Sequence, residues 1–293
     1  MSRAGPFPAD AFDVERPRLV GLAYRMLGSL ADAEDVVSEV WFRWERADRS
    51  SVERPAAWLT TVTTRAALDQ LRARRRRPAL YPGPWLPEPL VAGPGPEEAA
   101  ELADSLTLGF LILLDELGPV ERAVFVLAEV FAVPYDEIGA MVDRSPAACR
   151  QIASRSRRRI RDAHLPHGSA GDRRLVDELL VAVAAGDVQG VIDRLAPDVV
   201  CTSDGGPHRR AARRPVVSAP RVARFLVNLA RRYRGRIEVV PANVNGDAGY
   251  LFRIDGQLDQ VLACSVADGR VVAVRIVRNP DKLRHVGSSV RLE

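Results

Sequence analysis

Residues 134–161, PYDEIGAMVDRSPAACRQIASRSRRRIR, leave the chain few ways to fold, because they spell two short helices around a tight turn, with arginines crowding the second. Ser145 can cap that second helix, and Pro146 suits its first turn, where no intrahelical N–H bond is lost. Cys149, Ala153, Ser156 and Ile160 recur at i, i+4, i+7 and i+11, a stripe small enough to pack on Ile138, Met141 and Val142 of the preceding helix. Ala147, Gln151, Arg155 and Arg158 then face away, flanked by Arg150, Arg157 and Arg161. Glutamine can read adenine, and arginine can read guanine or grip phosphate, so the outward face has the chemistry of a helix entering the major groove of DNA. The competing reading is an exposed basic helix that touches nothing.

The 293 residues are 47% hydrophobic and 27% charged, enough for two or three packed units and unlike a disordered chain. The formal net charge is only +4, so basic character has to be judged by where it concentrates. Lys282 is the only lysine among 42 basic residues, and a coding bias toward arginine would give that ratio without selection for guanidinium chemistry. No apolar run is long enough to span a bilayer, and MSRAGPFPADAF lacks the apolar core of a secretory signal, so no membrane association and a cytoplasmic location are expected. The three cysteines, Cys149, Cys201 and Cys264, have no CxxC spacing, which argues for buried free thiols and against a zinc site or a disulfide framework. Neither a cofactor nor a metal is expected.

An amphipathic helix is predicted over 13–26 and a second from Ser29, with Asp32, Glu34 and Asp35 in its first turns and Glu39 further along. A third enters at Pro55, carries Trp58, Leu59, Val62, Ala66 and Leu71 at helical spacing, and ends in Arg72, Arg74, Arg75, Arg76 and Arg77. This first unit reads as an all-helical bundle with one acidic and one basic helix. Residues 78–96, PALYPGPWLPEPLVAGPGP, carry too many prolines for helix or central strand and should form a stiff extended connector. A solvated spacer has no need of Trp85 and Leu86, so this strip is expected to dock, with Trp85 buried in a groove of the third unit.

Helices resume at Glu97 and lead into the helix-turn-helix, which closes near residue 164. Beyond it come helices at 175–185, 188–195 and 219–233, then the strand-like runs RIEVVPANV, AGYLFRID, QLDQVLACSVAD and GRVVAVRIV separated by Gly or Asp turns. The third unit is therefore α+β, with helices across one concave face of a curved antiparallel sheet.

From about residue 12 to 161 the chain resembles an extracytoplasmic-function sigma factor of bacterial RNA polymerase, within the sigma-70 family. LAYRMLGSLADAEDVVSEVWFRWER is similar to the polymerase-clamp-binding helices of sigma region 2, AWLTTVTTRAALDQLRARRRR to the helix that reads the −10 element, and the helix-turn-helix stands where region 4 reads the −35 element. WLPEP at 85–89 and NPDKL at 279–283 resemble the subgroup with a SnoaL-like domain fused after region 4. Asp204, Gly205 and Gly206 match a glycine-rich loop of that subgroup, but Pro207 stands where a third glycine is expected and His208 where a basic residue is usual.

The resemblance implies four segments: region 2 over 1–78, a proline-rich linker over 79–103, region 4 over 104–166 and a SnoaL-like cone over 170–293. It implies an alternative sigma factor regulated by its own C-terminal domain, with promoter DNA and the clamp and flap of core RNA polymerase as partners. Asp32, Glu34, Asp35 and Glu39 would face polymerase; Arg65, Asp69, Arg72, Arg74 and Arg75 the −10 element; and Ser145, Ala147, Arg150, Gln151, Arg155 and Arg158 the −35 element. Trp85, Leu86, Pro87, Asp204, Gly205, Asn279, Asp281 and Lys282 would form the interdomain contact. The loop ADRSSVERPAAW would flank a pocket for an unstacked base, where Trp58 is as suited to the core as to stacking. Cone folds also host enzymes, and Asp204, His208, Tyr250, Asp259 and His285 could serve one, yet they show no catalytic spacing, so no catalytic residue is assigned. The concave face instead suits an unknown small ligand or peptide. A one-component regulator with a ligand domain is the alternative, and it leaves the acidic helix unexplained.

Overall fold

The computed structural model describes residues 10–76, 81–91, 107–162 and 170–289, without the side chains of 10, 75, 76, 170–172 and 287–289. The helix expected from Glu97 lies outside these residues as far as 106. The chain divides into two compact units, one made of Met1–Ala79 with Leu113–His164 and the other of Leu80–Ile112 with Leu165–Glu293.

In the first unit, α1 (Asp10–Leu27), α2 (Leu30–Arg46) and α3 (Pro55–Arg76) pack together. Ser29 caps α2, its Oγ accepting from the Asp32 amide at 3.2 Å, so the acidic first turn begins where the sequence predicts. Val36, Val37, Val40 and Trp44 form the buried stripe of α2, and Leu19, Leu22 and Met26 of α1 and Leu59 and Leu68 of α3 are buried with them where the three helices pack together. α4 (Leu108–Glu116) is followed by α5 (Pro119–Phe125), which continues as a π-helical turn over Val126–Val130, and then by α6 (Tyr135–Val142) and α7 (Pro146–Asp162).

The second unit begins its regular structure with α8 (Ala170–Ala185) and α9 (Val188–Arg194). These lead into β1 (Leu195–Asp204), β2 (Val216–Val217) and α10 (Ala219–Arg232), then β3 (Ile237–Val244), β4 (Asp247–Ile254), β5 (Gln257–Ala267), β6 (Arg270–Val277) and α11 (Pro280–Ser289). The six-stranded sheet runs β2-β1-β6-β5-β4-β3, with β1 parallel to β6 and every other pair antiparallel. Three hairpin turns, Asn245–Gly246, Asp255–Gly256 and Asp268–Gly269, all place both residues at positive φ, the geometry that Asn-Gly and Asp-Gly favour. α10 buries Ala219, Val222, Ala223, Leu226 and Val227, an i, i+3, i+4, i+7, i+8 stripe, against Tyr250, Leu262, Val274 and Ile276 of the sheet and Val176 and Leu179 of α8. The result is the α+β cone expected. β1, which the sequence reading did not find, lies between β2 and β6 and runs parallel to β6, so the sheet is mixed and not wholly antiparallel as expected.

Candidate functional site

In the helix-turn-helix, Gly139 makes the tight turn possible, because a Cβ there would meet the Arg144 carbonyl oxygen at 2.5 Å. Asp143 ends α6 in the left-handed region, and the Ser145 Oγ accepts from the Ala148 amide at 3.2 Å to start α7. Cys149, Ala153 and Ser156 are buried as their spacing predicts, and burial pushes the Cys149 thiol up from its ordinary pKa. Ala147, Arg150, Gln151, Arg155 and Arg158 are exposed along one side of α7, as is Ser145 at its cap. Arg157 is ion-paired with Glu129 at 3.2 Å, and Arg150 lies over the Tyr135 ring. Gly139→Ala should therefore cost about 1–3 kcal/mol, the usual range for overpacking. Equilibrium urea unfolding of the variant would show it as a lower midpoint.

Not all of the acidic helix faces outward. Asp35 and Glu39 are exposed, with Glu39 paired to Arg43 at 2.6 Å, and Glu34 is half-buried. Asp32 instead turns to α3, accepting from Gln70 at 3.0 Å and pairing with Arg74, which also donates to the Leu27 carbonyl at 3.0 Å. Asp32 and Arg74 thus join α2 to α3. On α3, Arg72 pairs with Asp69 at 3.2 Å, and Arg65 donates to the Ala140 carbonyl of α6 at 2.9 Å. The Arg75 side chain lies outside those described. Trp58 is half-buried against Trp44, ring centroids 5.4 Å apart, beside a 3-10 turn over Arg49–Ser51. Arg122, 1% exposed, donates to the Arg25 carbonyl and to Asp115, both at 3.0 Å; burial pulls its pKa down to about 10, still charged at neutral pH.

The proline-rich strip lies on the cone. Asp204, fully buried at the end of β1, accepts from the Tyr81 hydroxyl at 2.5 Å, the Leu86 amide at 2.9 Å, the Gly206 amide at 2.9 Å and the Lys282 ammonium at 2.7 Å. Lys282 also donates to the Leu86 carbonyl and sits 4.1 Å from the Trp85 ring centroid and 5.2 Å from that of Tyr81. Asn279 Nδ2 donates to the Tyr81 hydroxyl oxygen at 3.0 Å, and its own Oδ1 accepts from the Asp281 amide. Burial, then the bond to Asp204, push the Tyr81 pKa up, so it remains a donor.

The strip's far end joins the sheet. The Leu90 amide donates to Asn245 Oδ1, the Asn245 amide donates to the Leu90 carbonyl, both at 2.8 Å, and Val91 bridges to Val244. Leu86, Pro87 and Glu88 are buried, with Glu88 3.6 Å from His285.

Three details depart from expectation. Leu86, at 1% exposure, enters the groove, whereas Trp85 is half-buried and covers the ammonium. Asp281 is exposed and meets His208 and Arg284 rather than the strip. Pro207 does not disturb the loop, because the positive φ falls on Gly206, where a Cβ would lie 2.5 Å from the Asn279 side chain. The sequence reading had not placed Tyr81, Glu88 or Asn245 in the contact. The available signals were a tyrosine inside a proline strip and an Asn-Gly turn.

Residues 12–77 match the model of Sigma-70 region 2 and residues 110–160 that of Sigma-70, region 4. The chain is 38% identical over 290 residues to the ECF RNA polymerase sigma factor SigJ of Mycobacterium tuberculosis (strain ATCC 25618 / H37Rv), covering 92% of this chain and 91% of that one. It is 32% identical to a probable ECF RNA polymerase sigma factor, SigI, of the same organism (strain CDC 1551 / Oshkosh), over 97% of each chain. The crystal structure of the M. tuberculosis extracytoplasmic function sigma factor SigJ superposes with a TM-score of 0.76 at 35% identity, covering 93% of this chain and 96% of that one. The chain therefore belongs to the ECF RNA polymerase sigma factors, alternative sigma factors that direct transcription initiation.

Proposed function

We propose that this sigma factor binds core RNA polymerase through the exposed acids of α2, reads the upstream promoter element with α7, and is regulated by the cone's hold on residues 81–91. The observation that carries the first two parts is the segregation of exposed charge within one unit: Asp35 and Glu39 on α2, Gln151, Arg155 and Arg158 on α7. Opposite charges on separate helices suit a protein that grips another protein with one surface and DNA with another. Asp35, Glu39 and Glu34 would meet the polymerase clamp, with Asp32 holding α2 against α3 beneath them. The helix-turn-helix would also engage the flap. Arg65, Asp69, Arg72 and Arg75 of α3 would read or position the −10 element, which requires Arg65 to leave the Ala140 carbonyl it now holds, while Arg74, tied to Asp32 and the Leu27 carbonyl, would position α3 instead of touching DNA.

On this reading the segments 1–78, 79–103, 104–166 and 170–293 are region 2, linker, region 4 and a regulatory cone without an enzymatic step of its own. Regulation follows from the strip: a linker fastened to the cone cannot span the two promoter elements at full reach, so release from Asp204 and Lys282 is the switch. The polymerase surface is tested by Asp35→Lys combined with Glu39→Lys. Both residues are solvated, so the fold should persist while capture of core polymerase in a pull-down falls sharply. Unchanged capture would remove α2 from the interface.

A further inference from the structure

Residues 205–237 hold ten arginines and no aspartate or glutamate, in a chain that has 38 acids and a formal net charge of only +4. The segment therefore carries +10 and the rest of the chain −6. A coding bias that favours arginine over lysine does not explain the missing acids. All ten arginines are exposed.

On α10, Arg221, Arg224, Arg231 and Arg232 recur at i, i+3, i+10 and i+11, on the face opposite the buried Ala219, Val222, Ala223, Leu226 and Val227 stripe. They extend about 16 Å along the helix. The loop after β1 brings Arg210, Arg213 and Arg214 alongside, since residues 208–212 line one groove with Phe225, Leu229 and Arg232 of α10. That loop is fixed, with Arg278 donating to the Arg210 carbonyl and the Ala212 amide donating to the Ser203 Oγ, both at 2.9 Å. Asp255, Asp259 and Asp281 touch only its neighbours, Arg236, Arg209 and His208. Among the described residues no ion pair is found for the seven arginines named on the loop and on α10. By contrast Arg43, Arg72, Arg157 and Arg174, on other helices, each have a carboxylate partner.

We propose that this face of the cone binds the phosphate backbone of duplex DNA, without reading its sequence, beside the element that α7 reads. A row of uncompensated guanidinium groups repels itself, and a polyanion relieves that repulsion. Each DNA strand offers a phosphate about every 3.4 Å of axis, so several fall within the length of the row. A protein interface has aromatic and apolar side chains at its centre, and a membrane-binding helix turns an apolar face outward. α10 offers neither, because its apolar stripe is packed on the sheet. The polyanion met by a factor that directs transcription initiation is duplex DNA. Seven residues separate Asp162 at the end of α7 from Ala170 at the start of α8. They span at most about 28 Å, less than one turn of duplex of about 34 Å, so an engaged α7 keeps the cone within reach of neighbouring phosphates. Only the location of the contact rests on the proposed role of α7; the affinity of the face for duplex does not.

The test is an anisotropy titration of the full chain with a labelled promoter duplex, and with a scrambled duplex of equal length, over a series of salt concentrations. The unsubstituted chain should bind both at low salt. Arg224→Gln with Arg231→Gln should weaken both complexes alike and reduce the slope of log affinity against log salt by about 2, at about 0.9 per phosphate contact. Adding Arg213→Gln and Arg214→Gln should take the reduction to about 3.5. Arg43→Gln with Arg174→Gln removes the same charge as the first pair from exposed side chains that already have carboxylate partners, and should leave the slope unchanged. The proposal is overturned if the unsubstituted chain binds neither duplex at low salt, if the fourfold variant keeps the original slope, or if the control pair lowers the slope as much. It is also overturned if the fourfold change abolishes binding to vesicles of equal parts phosphatidylglycerol and phosphatidylcholine while DNA binding stays intact, which would assign the face to a lipid surface. Preference for the promoter duplex over the scrambled one reports on α7 separately, so the two readings fail independently.

Discussion

Asp204→Ala is expected to free residues 81–91 from the cone while the sheet stays folded. The carboxylate accepts from two groups of the strip and is the counter-ion of Lys282, whose side chain is 10% exposed. Removing one partner of a buried ion pair leaves the other charge uncompensated, at a cost of about 3–5 kcal/mol. One buried Leu86 side chain contributes about 1.5–3 kcal/mol, which does not make up that loss. Hydrogen exchange separates the outcomes residue by residue. The Leu86 amide, bonded to Asp204, should lose its protection, whereas amides between β4 and β5 should keep theirs. Asp204→Asn combined with Lys282→Met removes both charges and should restore part of the protection. Retained protection at Leu86 in Asp204→Ala would show that apolar burial alone holds the strip.

The second large effect concerns α7. Gln151→Ala and Arg155→Ala should each weaken binding to the upstream element by about 1–3 kcal/mol, the range for one lost base contact, and should relax preference at the base pair concerned. Both residues are exposed and face away from the buried Cys149, Ala153 and Ser156 stripe, so stability should be unaffected. Arg157→Ala is the control: that side chain is tied to Glu129 and should act on phosphate, lowering affinity uniformly across sequences and flattening the salt dependence. Gel-shift titrations on matched and scrambled promoter fragments at two salt concentrations distinguish the two behaviours.

Where local chemistry decides structure, the sequence was readable. Ser29 and Ser145 announced their helices, Gly and Asp turns marked the breaks between the hairpin strands, and the helix over 219–233 was legible as a helix. What escaped depends on partners far along the chain. β1 carries Pro197 and Asp198, is bulged between Leu195 and Val200, and pairs in parallel with β6 some seventy residues on, so no alternation marks it. Asp32 read as part of a solvated acidic face, because nothing nearby in sequence reveals Arg74 across the bundle.

The exchanged roles of Trp85 and Leu86 have a similar origin. Composition suggests that the larger ring is buried, but a buried ammonium needs a π face to cover it, and that need holds the indole at the rim. Lys282 offered a signal in plain view. In a chain that otherwise uses arginine for every basic position, the lone lysine sits where a compact ammonium must fit a carboxylate, a carbonyl and two rings at once, a geometry a planar guanidinium does not match.

The central claim, that this chain directs RNA polymerase by reading a promoter with α7, is tested most directly by run-off transcription with purified core polymerase on a template carrying the region upstream of the factor's own gene. Core enzyme alone should give no defined product. Core with the full chain should give a single start site, and the chain carrying both Gln151→Ala and Arg155→Ala should lower that product by more than about tenfold, as loss of two base contacts requires. A start site that appears without the chain, or a product unchanged by the two substitutions, would contradict the account.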